Sequence, residues 1–143
     1  MARYAAIDRP VRKYALEQTE ARLRRFAYQM GRTGTRAEAD AIHDLRVSIR
    51  RLSQCLRAFG AFLPRGKVKK VRRGLRSLMN LAAEVRNSDV ALGLLSRAGV
   101  AAKSPVAGSL RRRRLEAEQA LLGWIKQWQR RDLSRKWRAQ LEL

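Results

Sequence analysis

Between Ile42 and Phe59 the chain reads IHDLRVSIRRLSQCLRAF, a stretch that holds its only histidine and four arginines. Placed on an α-helix at about 100° per residue, His43, Arg46, Arg50, Gln54 and Arg57 fall within roughly 80° of one another. No carboxylate shares that stripe, because Asp44 projects about 100° away from His43. Cations at i, i+4 and i, i+7 repel one another unless an anion lies across them. Guanidinium forks match phosphate oxygens with two parallel charge-assisted hydrogen bonds, so a chain of phosphates along the helix suits the stripe. A solvated basic face is the alternative reading of the same residues. A lone histidine can act as general acid or base. Here it has no acidic pair for Mg²⁺, no nucleophile paired with a base and no Gly-rich phosphate loop beside it. A binding protein is expected rather than an enzyme, with no catalytic residue, metal or cofactor.

The whole chain is charged in the same sense. It has 143 residues, with 33 Lys+Arg against 12 Asp+Glu and a net charge of +21, which calls for a polyanionic partner. The excess is a patch: from Leu45 through Ala83 there is no acidic residue, while Arg46, Arg50, Arg51, Arg57, Lys69, Arg72, Arg73 and Arg76 all lie there. Nucleic acid is the alternative partner, since phosphate contacts dominate such affinity. Against it stands the lack of aromatics interleaved with the basic stripe, which single-strand binding needs. The lone Cys55 and lone His43 give neither an internal disulfide nor a zinc-type cluster. No apolar run is long enough for a signal peptide core or a membrane span, so a cytoplasmic location is expected.

Helices must position these side chains. A first helix is predicted from near Pro10, a good early-helix residue, to Met30, with Gly31 and Gly34 ending it. Thr35 and Glu38 have the spacing of a capping box for the second helix. That helix carries Ile42, Leu45, Ile49, Leu52, Leu56 and Phe59 on one face and ends near Gly60 to Pro64. A third helix after Pro64 and Gly66 places Val68, Val71, Leu75, Leu78, Ala82 and Val85 toward a core. Lys69, Arg73, Arg76 and Asn80 form a second stripe on it within about 60°. It runs past Arg86 to Asp89 and Val90, with Gly93 and Gly99 loosening the chain beyond. Ser104 and Pro105 signal the start of a fourth helix reaching toward Leu141. Its tryptophans keep the helical spacing of core or interface anchors. The fold class is therefore all-α, an antiparallel four-helix bundle in a single domain over 1–143, with two basic stripes forming the walls of a groove.

Two motifs carry a family resemblance. His43-Asp44-Leu45-Arg46-Val47 followed by Arg50-Arg51-Leu52 resembles the signature of the CHAD family of α-helical domains. The run from Leu81 to Val90, LAAEVRNSDV, is similar to that family's second motif, an Arg-Asp-x-Asp-Val sequence after a leucine-rich basic helix. Together they cover roughly 38–97. The resemblance implies binding of inorganic polyphosphate by basic side chains lining a helical groove, and association with polyphosphate granules. It assigns His43, Arg46, Arg50 and Arg51 to the first motif, Lys69, Arg73 and Arg76 to the basic helix, and Arg86 and Asp89 to the second motif. Asp89 is expected to pair with an arginine, since a carboxylate facing phosphate would be repelled.

This chain departs from the pattern in two ways. Asn87 stands where the family has its first aspartate. Family members usually contain two four-helix halves related by a pseudo-two-fold axis, and this length corresponds to one. A symmetric homodimer is therefore expected, closed two-fold pairing being the commonest arrangement of identical chains. Trp124, Trp128 and Trp137, on a helix longer than one small bundle needs, point the same way.

Overall fold

The computed structural model describes the backbone from Ala2 and the side chains from Arg9, in each case through Leu143. Its elements are α1 (Ala2–Thr35), α2 (Ala39–Ala58), a 3₁₀ turn at Gly60–Phe62, α3 (Arg65–Arg97), α4 (Pro105–Arg130) and α5 (Leu133–Gln140). The apolar period of each helix sets its rotation. Ile42, Leu45, Ile49, Leu52 and Leu56 of α2 are buried against Val68, Val71, Leu75, Leu78, Ala82 and Val85 of α3, as their spacing predicts. α1 adds Leu23, Phe26 and Met30, and α4 adds Leu121, Ile125 and Trp128. The most extensive packing is within the α1–α2 and α3–α4 hairpins, and the seam between α1 and α4 is thinner.

Several helix ends differ from the sequence expectation. Pro10 sits inside α1 rather than at its start, because a proline forfeits one backbone hydrogen bond and can bend a helix without ending it. Gly31 and Gly34 are also helical, and α1 continues to Thr35. Gly34 serves packing instead: a Cβ there would lie 3.0 Å from Ile125 Cγ2 of α4. Thr35 does not cap α2. Its hydroxyl donates back to the Gly31 carbonyl at 3.1 Å, and Glu38 occupies the N-cap position without a side-chain capping bond. The Glu38 carboxylate is held by Arg36 Nε at 2.7 Å instead. Gly93 does not loosen α3, which ends at Arg97, ahead of Gly99 at φ 77°. Ser104 caps α4 as expected, accepting from Ala107 N at 3.2 Å, with Pro105 as the first helical residue.

The fourth helix does not reach Leu141. It stops at Arg130, and Asp132 takes a left-handed conformation (φ 47°, ψ 49°) that turns the chain into α5. α5 delivers Trp137 to the core, where its ring stacks on Phe26 (centroids 5.9 Å apart, planes within 7°) and meets Trp128 edge-on at 6.0 Å. Phe26 and Trp128 also meet edge-on at 5.5 Å. Close approach is possible because Gly74 has no side chain: a Cβ on it would lie 3.1 Å from Trp137 Cζ2. Trp128 and Trp137 are thus buried within their own chain and are not available as dimer anchors, while Trp124 is half-buried.

Candidate polyanion-binding site

Burial of the apolar stripes turns the basic ones outward. His43, Arg50, Arg51 and Arg57 of α2 are exposed and Arg46 is half-buried. On α3, Lys69, Arg73, Arg76 and Arg86 are exposed and Arg72 is half-buried. None of these ten side chains belongs to a described ion pair. The carboxylates that do pair are engaged with Lys13, Arg24, Arg32, Arg36, Arg114 and Arg138. Among the described residues, no carboxylate pairs with these sequence-predicted cations. Arg46 adds a further signature, since its Nε is buried with no hydrogen-bond partner.

Helical phase divides these residues into two groups. The α1 side of α2 is marked by Cys55, whose Sγ lies 3.5 Å from Thr19 Oγ1, and by Asp44, which pairs with Arg32 of α1. Rotating past the core from there places Arg46, Arg57 and Arg50 toward α3. On α3, Gly74 against Trp137 and Asp89 against Arg114 mark the α4–α5 side. Arg72, Arg76 and Lys69 consequently lean toward α2, and Arg73 points straight out. The α2–α3 seam is thus flanked by cations from both helices. Arg51 is not part of it. With His43, Asp44, Val47 and Ser48 it lines a separate cavity of about 290 Å³ against Arg22, Arg25 and Gln29 of α1. Sequence reasoning missed Arg22 and Arg25. The signal that could have found them is their phase: with Gln29 they sit at i, i+3 and i+7 on the flank of Phe26 that faces α2.

A CHAD domain model matches residues 17–142, well beyond the stretch covered by the two motifs. The chain belongs to the CHAD family. CHAD domains are linked in general to polyphosphate binding. No curated protein and no solved structure matches the chain.

In this CHAD domain the second motif is structural on its acidic side. Asp89 Oδ1 accepts from Arg114 Nε at 2.6 Å, Arg114 Nη1 donates to Glu118 at 2.7 Å, and Arg114 Nη2 reaches the Ala37 carbonyl at 3.4 Å. One guanidinium so ties α3 and α4 to the α1–α2 turn. The Asp89 hydrogen bond raises the Arg114 pKa above its usual value, against the opposing pull of burial, and the charges of Asp89 and Glu118 add to the rise. Asn87 is exposed, and its side chain takes part in no described hydrogen bond. Asp44, beside His43, hydrogen-bonds Arg32 and raises that guanidinium's pKa, so the one acid of the first motif is already engaged. Among the described residues no group of His, Cys, Asp and Glu could hold a metal ion, and no helix is long and apolar enough to cross a membrane.

Proposed function

We propose that this CHAD domain binds inorganic polyphosphate, without catalysing its conversion, through the cations that α2 and α3 present across their seam. The observation that carries the reading is that every carboxylate in a described ion pair is spent on a cation outside the stripes. Arg46, Arg50, Arg57, Lys69, Arg72, Arg73 and Arg76 are left for an external anion. Linear placement along two neighbouring helices suits a linear polyanion, and the buried, unpartnered Nε of Arg46 supplies a donor that gains a partner when a phosphate oxygen arrives. Arg86 lies past the last core residue of α3, Val85, and extends the basic track at that end. The reading includes action in the cytoplasm at polyphosphate granules and completion of the site by a second copy of the chain.

The test is competition between polyphosphate and single- or double-stranded DNA of equal charge over a salt series, followed by sedimentation so that affinity and mass are read together. Polyphosphate is expected to displace both DNAs, with a preference that persists as salt rises and screens the long-range attraction. The polyphosphate complex is expected at twice the chain mass. DNA binding as tight as polyphosphate at every salt would make the protein a general nucleic-acid binder. A single-chain mass in the saturated complex would remove the dimer.

A further inference from the structure

The cavity between α1 and α2 lies on the other side of α2 from the seam, and its chemistry differs. Its walls are formed by Arg22, Arg25 and Gln29 of α1 and by His43, Ser48 and Arg51 of α2, around about 290 Å³. That volume is just below the range of roughly 300–1,000 Å³ usual for small-molecule sites. Among the described residues, Asp44 is the only acid lining it and is tied to Arg32, so the cavity keeps a positive field. Arg25 is steadied by the Tyr28 ring, 5.3 Å from its guanidinium carbon.

The second observation is Gln29. It is 1% exposed and lines this cavity. Its Oε1 accepts from Arg32 Nη1 at 3.5 Å, while its Nε2 makes no described hydrogen bond. The Nε2 hydrogens are left for water or a ligand in the cavity. Buried Ser48 stands beside it, its hydroxyl donating to the Leu45 carbonyl at 2.7 Å.

From this geometry we infer that the α1–α2 cavity is a discrete site for one compact phosphoryl or diphosphoryl group, with Arg22, Arg25 and Arg51 as its clamps and the Gln29 amide and His43 as orienting donors. Convergence is the reason for compactness. Donors arriving from two helices enclose a tetrahedral group, whereas the seam lays its cations out in line. A phosphoryl group at a chain end, or in a free small phosphate, has three non-bridging oxygens and a second ionisable charge, where an interior phosphate of a chain has two such oxygens and one charge. A cluster of forked donors favours the former. The site is additional to the seam and can fail independently of it.

Inorganic pyrophosphate is the probe, titrated calorimetrically into the full chain. Saturable binding at one equivalent per chain is expected. Arg22→Gln with Arg25→Gln should weaken it at least tenfold, and the charge-matched pair Lys126→Gln with Arg130→Gln on the exposed side of α4 should leave it within twofold. Thermal unfolding of both doubles confirms that the fold is retained, and Gln29→Glu, which replaces the donor by an acceptor of the same size, should weaken binding again. Equal losses in the two arginine-containing doubles, or a larger loss in an Arg50→Gln, Arg73→Gln double than in the cavity double, overturn the site. Competition then names the source of the group. Displacement of pyrophosphate by long polyphosphate with free ends, but not by chains whose ends are capped, assigns the site to chain termini. Displacement by neither assigns it to a free small phosphate. Equal displacement by both puts chain interiors in the cavity and overturns the inference.

Discussion

Arg50→Glu combined with Arg73→Glu lowers polyphosphate affinity about a hundredfold, or about 2.8 kcal/mol at 1.4 kcal/mol per decade. Lys126→Glu combined with Arg130→Glu, equal in net charge, changes it by roughly threefold or less. The pairs differ only in place. Arg50 and Arg73 belong to the stripes of α2 and α3, and neither has a described carboxylate partner, so reversal puts a like charge against phosphate at a point of contact. Lys126 and Arg130 are equally exposed but lie on α4, away from the seam, where they act only through a screened field. The control cannot be taken from the most obvious arginines of α1. Arg24 pairs with Glu20, so its reversal would disturb an ion pair, and Arg25 lines the α1–α2 cavity. Fluorescence-detected titration at fixed salt, with helicity checked by circular dichroism, reads the difference. Matching losses in the two doubles would mean that the protein holds polyanions by bulk charge and that the seam is not a site.

Trp137→Ala lowers stability by about 3–5 kcal/mol, the usual range for deleting a large buried aromatic, and lowers Tm by roughly 10–15 °C for a chain of this size. Trp137 is 5% exposed, and its loss removes the stack on Phe26, the edge contact with Trp128 and the wall over Gly74 together. Gly74 supplies the internal check. In an exposed helix Gly→Ala gains about 1 kcal/mol of helix propensity. Here the new Cβ would stand 3.1 Å from Trp137 Cζ2, and Phe26 on the far face of the ring leaves it little room to give. Gly74→Ala should therefore be destabilising in the parent and stabilising in the Trp137→Ala background. Thermal unfolding of the four proteins closes the cycle. Additive effects would show that α5 does not bear on α3 through this pair.

The rotation of α2 and α3 was legible in the sequence because a single physical requirement, burial of an apolar stripe at helical spacing, fixes it. Once Leu45 and Leu75 point inward, Arg50 and Arg73 must point outward. The ends of the helices were less legible because tertiary contacts override local signals. Gly34 reads as a terminator, yet it is a contact point for Ile125, and Thr35 reads as a cap, yet it back-bonds within its own helix. The break at Asp132 has no glycine to announce it. Aspartate tolerates the left-handed region, and Trp137 gains a buried position from the turn that follows. Asp89 was legible as the partner of an arginine, but which arginine was not. Arg111 to Arg114 form a continuous run, and only the fold turns Arg114 inward to meet Asp89. Arg22 and Arg25 belong to the same class of miss, since spacing on one helix does not reveal which neighbouring helix faces it.

The thin seam between α1 and α4 has a kinetic meaning. Most contacts in the bundle are made within hairpins whose helices adjoin in sequence, and such low contact order belongs to chains that fold in microseconds to milliseconds. Each hairpin can form before the two meet, leaving the α1–α4 edge and the eight-residue α5 laid over its end as the last part to close. By microscopic reversibility that edge is also the first to open. Amide hydrogens of α5 should exchange through a partial unfolding well below the energy of the global one, while those of α3, held between α2 and α4, exchange only when the whole bundle comes apart.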